Sequence, residues 1–137
     1  MDRLRWQCER LLGSGENILL DARVAYLKMG ALRRQGIGRA FLTQRRVIWL
    51  HAAPPFLLGL LFWLHRVVEI QLDSIEHIQR WKHALVVRAS GEAYVFQLGQ
   101  GCPPLVLFFF YQVPREAERT TDEWYRAMRE LIPPHAL

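Results

Sequence analysis

Residues 38–50 read GRAFLTQRRVIWL. Two short runs of apolar, β-branched and aromatic residues flank a polar centre at Thr43–Arg46. That pattern predicts two antiparallel strands joined by a tight turn: IGRAFLTQ runs in and RRVIWLHA runs out. Thr43 is expected to hydrogen-bond the backbone of its own turn. Arg45 or Arg46 is expected to lie across neighbouring strands and pair with a carboxylate such as Asp73 or Glu69. Contact of the same arginines with an external anion is the competing role.

Upstream, ENILLDARVAYLKM alternates, with Ile18, Leu20, Ala22, Val24 and Tyr26 on one face and Asp21 and Arg23 on the other. This is the pattern of a half-buried strand. GALRRQG, residues 30–36, turns the chain into the next strand. Before the first strand, Leu4, Cys8 and Leu11 recur at helical spacing until Gly13, so residues 1–14 read as a short helix or extension.

Downstream, RVVEIQLDSI alternates again, with Val68, Ile70 and Leu72 inward. HALVVRAS and EAYVFQLG form a hairpin around Ser90–Gly91–Glu92. PREAER reads as a charged linker. TTDEWYRAMRELI predicts a helix over residues 121–132, with a capping box of Thr120 and Glu123 and a stripe of Trp124, Met128 and Leu131. Trp124 and Met128 are expected to be buried. The fold class is therefore mainly β: six to seven antiparallel strands, closed by one C-terminal helix, over residues 15–132 with a short tail at 133–137.

One segment exceeds what a strand connection needs. AAPPFLLGLLFWLHR, residues 52–66, carries no charge before His65 and Arg66. Pro54 and Pro55 interrupt any helix from residue 47 onward. The apolar core after them is about nine residues, roughly 14 Å as a helix against a bilayer core of about 30 Å. Phe56, Leu57, Leu60, Leu61 and Trp63 thus make an insert at 52–64 that something must cover. Its own barrel, another protein chain or a bilayer surface would each serve. Trp49, Trp63 and Arg66 suit the bilayer as an aromatic and basic fringe. A second apolar run, LVLFFFYQV at 105–113, suits a partner or a second copy.

GRAFLTQRRVIWL, VEIQLDSIEHI, ALVVRASGEAYVFQL and DEWYRAMREL together resemble the bacterial pleckstrin-homology-like and GRAM-type domains, over roughly residues 15 to 131. The turn Leu42–Thr43–Gln44–Arg45–Arg46 is the most telling part. The resemblance implies a seven-stranded barrel-like sandwich capped by one helix. It also implies a non-catalytic module that binds membranes, phospholipid headgroups or proteins. Lys28 matches the lysine that phosphoinositide-binding members carry at the end of the first strand. Arg39 matches their later arginine loosely, and Ile37 stands where they have a basic residue.

The charge agrees with an anionic partner: 18 Lys and Arg against 13 Asp and Glu give a net charge of +5. Lys28, Arg33, Arg34 and Arg39 gather around the first strand connection and are the headgroup candidates, with Arg33, Arg34 and Arg39 expected to be exposed near one rim. A solvated basic loop is the plainer reading of the same residues. Nucleic acid is disfavoured, because most aromatics fall at core parity and only Trp81–Lys82–His83 joins an aromatic to basic residues outside the core pattern. The five histidines do not fall at metal-ligand spacing, and no serine has a nucleophile-elbow context. We therefore expect no enzyme, metal or cofactor. Cys8 and Cys102 are too far apart in sequence for a C-x-x-C site. The N-terminus lacks the apolar core of a signal peptide. These features suit a cytoplasmic setting peripheral to the inner membrane face. The expected function is a membrane-associating adaptor that uses the basic loop and the insert, with a protein-interaction or homo-oligomerising module as the alternative.

Overall fold

β-Branched and aromatic runs, cut by glycine and polar turns, build seven antiparallel strands. The computed structural model describes residues 3–29, 35–51, 67–81, 84–98 and 113–132. Helix α1 (Arg3–Leu11) precedes β1 (Ile18–Met29), β2 (Gln35–Thr43), β3 (Arg46–His51) and β4 (Val67–Gln71). A 3-10 turn, Leu72–Ser74, leads to β5 (Ile75–Arg80), β6 (Leu85–Ala89) and β7 (Glu92–Leu98), and α2 (Val113–Leu131) follows.

The strands hydrogen-bond in the order β4-β3-β2-β1-β7-β6-β5. β4 and β5 are consecutive in the chain yet lie at opposite ends of that order. Laid flat, six strand spacings would separate them by roughly 29 Å. A three-residue turn spans about 10 Å. The sheet must therefore curl until its ends nearly meet, as two sheets that share β1. RVVEIQLDSI, expected to be one strand, is thus a corner: β4, a turn, then β5.

β1 makes the sharing physical. It pairs with β2 along most of its length but with β7 only through Ala25–Met29. The register with β2 shifts between Ala22 and Ala25. An extra residue there reverses the side-chain parity. Leu20 and Ala22 face the core, and beyond the shift it is Ala25 and Leu27 that are buried in it. The alternation expected from Leu20 and Ala22 therefore does not run on unbroken past the bulge; the side chains of Val24 and Tyr26 lie outside the described residues. Trp49 seals it from β3: its indole Nε1 donates to the Ala25 carbonyl at 2.9 Å. Trp49 is only 4% exposed, so it is a core residue and not part of a membrane fringe.

Gly38 allows the β2–β3 contact to be this close. A Cβ there would stand 2.8 Å from Trp49 Cε2 and collide with the Leu50 carbonyl. The β6–β7 hairpin closes through Ser90 and Gly91, at φ 54° and 76°. Two successive positive φ values are those of a type I′ turn, whose twist matches the strands it joins.

α2 packs on β7 and β5 and closes the core. Trp124 and Met128 are 2% and 0% exposed, as the helical stripe predicts. The helix begins at Val113, well before the expected residue 121. PREAER is its first turns and not a linker, and Thr120 lies inside the helix, so the capping box is not used as a cap. Pro114 fits near the start because first-turn N–H groups have no helical partner.

Candidate functional site

Three strand connections leave the same end of the sheet. Lys28 pairs with Gln35, Gly38 with His51 and Leu50 with Val67. The stalks of connections 30–34 and 52–66 therefore stand side by side. Met29 pairs with Tyr94, so the Ser90–Gly91 turn rises at that end too. Arg33, Arg34, Phe56, Leu57, Leu60, Leu61 and Trp63 lie outside the described residues, as does the side chain of Lys28. Val67, at the foot of the insert, is 48% exposed.

Arg39 is not an exposed rim residue. It is 8% exposed and points from β2 toward Asp21 on β1. Its Nε donates to Asp21 Oδ1 at 2.7 Å and its Nη2 to Oδ2 at 2.5 Å. Its guanidinium also lies 5.3 Å from the Phe41 ring centroid. Arg5 of α1 reaches the same carboxylate, Nη1 to Oδ2 at 3.1 Å. A bidentate pair of this kind occupies the donors that a phosphate would need. The expectation of exposure fails because β1 supplies a carboxylate on the same outer face.

The Thr-Gln-Arg-Arg turn sits at the opposite end and binds the chain itself. Thr43 Oγ1 accepts from the N–H groups of Arg45 and Arg46, both at 3.1 Å, as its turn role requires. It also donates to Glu16 Oε2 at 2.6 Å. Arg46 holds Glu16 through Nε and Nη2, at 3.0 and 2.9 Å. Its Nη1 meets Glu69 Oε2 at 3.1 Å. Glu69 was an expected partner, but the buried one is Glu16, only 6% exposed. Nothing in the alternation marks Glu16. Only its place after the glycine turn at residues 13–15 hints at a special role. The Arg46 hydrogen bond, aided by Gly13 N–H and Thr43, pulls its carboxyl down to about 2. The pair raises the Arg46 guanidinium in turn.

Above this turn, α1 lies on the outer face of the sheet. Cys8 is buried there against Phe41, Ile48 and Leu50, with Leu4, Leu12 and Ile18 beside it. Burial pushes the Cys8 thiol up to about 11. Trp81 is 51% exposed at the end of β5 and Trp6 is 46% exposed on α1, where Arg10 stacks 4.8 Å from its ring centroid. Among the described residues, no His, Cys, Asp and Glu cluster could hold a metal ion, and no helix is long and apolar enough to cross a membrane.

No family model matches the chain, and no curated protein matches it in sequence. Among solved structures, it is similar to the Vps36 N-terminal PH domain, with a TM-score of 0.50 and 21% identity over 85% of this chain and 86% of that one. At that identity the likeness speaks for the fold alone. Seven antiparallel strands in two sheets sharing β1, closed by a C-terminal helix, make this a pleckstrin-homology-like fold.

Proposed function

We propose that the chain is a non-catalytic adaptor module that associates with anionic membrane surfaces. The observation that carries the reading is the shared end. The stalks of the basic connection 30–34 and of the apolar connection 52–66 leave neighbouring strand ends. One surface can then meet both charge and apolar side chains, which is how interfacial segments bind: Arg33 and Arg34 for headgroups, Leu57, Leu60, Leu61, Phe56 and Trp63 for shallow burial. Lys28 ends the first hairpin strand and would add charge. Arg39 takes no direct part, since Asp21 holds it, and serves as a brace under the rim.

A second reading, a protein-interaction or homo-oligomerising module, uses the same apolar surface. Val67 favours it, because this exposed side chain extends the apolar character of the insert onto the strand edge.

Flotation with neutral and with anionic vesicles, beside a mass measurement in solution, separates the two. The membrane reading expects binding to anionic vesicles only, weakened by salt and abolished by Arg33→Glu with Arg34→Glu. Replacing Leu57, Leu60 and Leu61 by serine should also release the vesicles and leave the strands folded. A wild type that ignores both vesicle types but forms oligomers, which the triple serine variant dissolves, would replace the membrane reading by the second.

A further inference from the structure

We propose that α1 is a clasped lid, one that opens by local unfolding and uncovers an apolar strip on the outer face of β2 and β3. This stands apart from the membrane reading and does not depend on it.

Three observations carry it. First, every side chain of the β2–β3 turn grips the chain between α1 and β1. Gln44 donates through Nε2 to the Gly15 carbonyl at 2.6 Å and accepts from Asn17 N–H at 2.8 Å. Arg45 donates to the Ser14 carbonyl at 3.1 Å, and Arg46 to the Leu11 carbonyl at 2.6 Å. Thr43 and Arg46 both hold Glu16, whose Oε1 in turn accepts the Gly13 N–H at 2.9 Å. One four-residue turn thus fixes residues 11–17.

Second, α1 cannot persist alone. It has nine residues, fewer than the about 12–15 that an isolated helix needs to be even marginal in water. Opening the clasp therefore unfolds the helix as it lifts it.

Third, what lies beneath is apolar and separate from the main core. Phe41, Ile48 and Leu50 form a cluster with Cys8, on the opposite face from Trp49 and Trp124. The strip can be bared without opening the barrel. Outside the clasp, Arg5 of α1 pairs with Asp21 of the sheet. α1 itself contributes a single fully buried side chain, Cys8, to this cluster, beside the partly buried Leu4, and segments with few buried apolar contacts are those that open below the global unfolding energy.

Cys8 reports the motion directly. Its thiol is fully buried under the lid and closed to reagents until α1 lifts. In a Cys102→Ser background, its labelling by a thiol reagent should be faster than hydrogen exchange of the slowest β6 and β7 amides requires. Gln44→Ala with Arg45→Ala removes three clasp bonds and leaves the buried Glu16–Arg46 pair intact. This variant should label roughly tenfold faster, the equivalent of losing one to two net hydrogen bonds, while the β6 and β7 amides keep their exchange rates. If Cys8 labels only as fast as those amides open, or if the variant leaves its rate unchanged, α1 is a fixed part of the barrel and the proposal is wrong.

Discussion

Glu16 is the residue on which most depends. Its carboxylate is buried and takes a bidentate pair from Arg46 together with bonds from Thr43 and Gly13. Its folded-state pKa of about 2 lies below the ordinary value of 4.5. A depressed carboxyl stabilises the fold fully above its unfolded value and loses that contribution as pH falls through its folded value. The loss should therefore run from about pH 4.5 down to about pH 2. Glu16→Gln should cost about 2–4 kcal/mol at neutral pH, since it removes the buried anion of the pair and leaves the half-buried Arg46 guanidinium with only the more exposed Glu69. Urea titrations at several pH values would show it: the variant should lose less stability than wild type on acidification. Equal acid slopes would remove Glu16 from this role. At Gly38 the argument is steric. Gly38→Ala drives a methyl into the Leu50 carbonyl and the Trp49 ring, so the thermal midpoint should fall by the equivalent of about 3 kcal/mol or more. A neutral outcome would mean that β2 and β3 can separate without cost.

Among the elements, α2 carries the sharpest expectation. Trp124 is among the largest fully buried side chains and sits where the helix meets the strands. Trp124→Ala should cost about 3–5 kcal/mol, measured by denaturant unfolding. An unchanged midpoint would mean that the helix does not close the core. The β6–β7 turn makes a contrasting case. Ser90 holds a positive φ without being glycine, so Ser90→Gly should leave stability unchanged or raise it slightly, by less than about 1 kcal/mol. A clear loss would show that the Ser90 side chain matters more than its backbone conformation.

For the whole molecule, the excess of five positive charges matters most at long range. If the end bearing connections 30–34 and 52–66 meets an anionic bilayer, raising ionic strength from low to about 0.5 M shortens the screening length to a few ångströms, and flotation should fall steeply. Binding that persists at that salt would assign the attachment to the apolar insert alone. The triple serine variant then tells insertion from oligomerisation. Its loss of vesicle binding with an unchanged solution mass is the result the membrane reading expects.

Much of this was legible from local pattern because each cue acts over a few residues. Alternation placed the inward face of β4, the Ser-Gly pair placed the tight hairpin of β6 and β7, and the Trp124–Met128 stripe placed the buried face of α2. These depend on backbone parity and turn geometry, which neighbouring residues settle. What tertiary structure alone decided are matters of who meets whom. The bulge after Ala22 is set by pairing with β2, and it moves the inward positions to Ala25 and Leu27. Asp21 claims Arg39 because β1 and β2 lie edge to edge, although the two are distant in sequence. Glu16 rather than Asp73 takes Arg46 because the β2–β3 turn comes to rest against the α1–β1 link. Charge and spacing could name Arg39 and Arg46 as functional candidates. Only the folded neighbourhood showed that their donors are already occupied, since a guanidinium's partner is chosen by distance in space and not by distance along the chain.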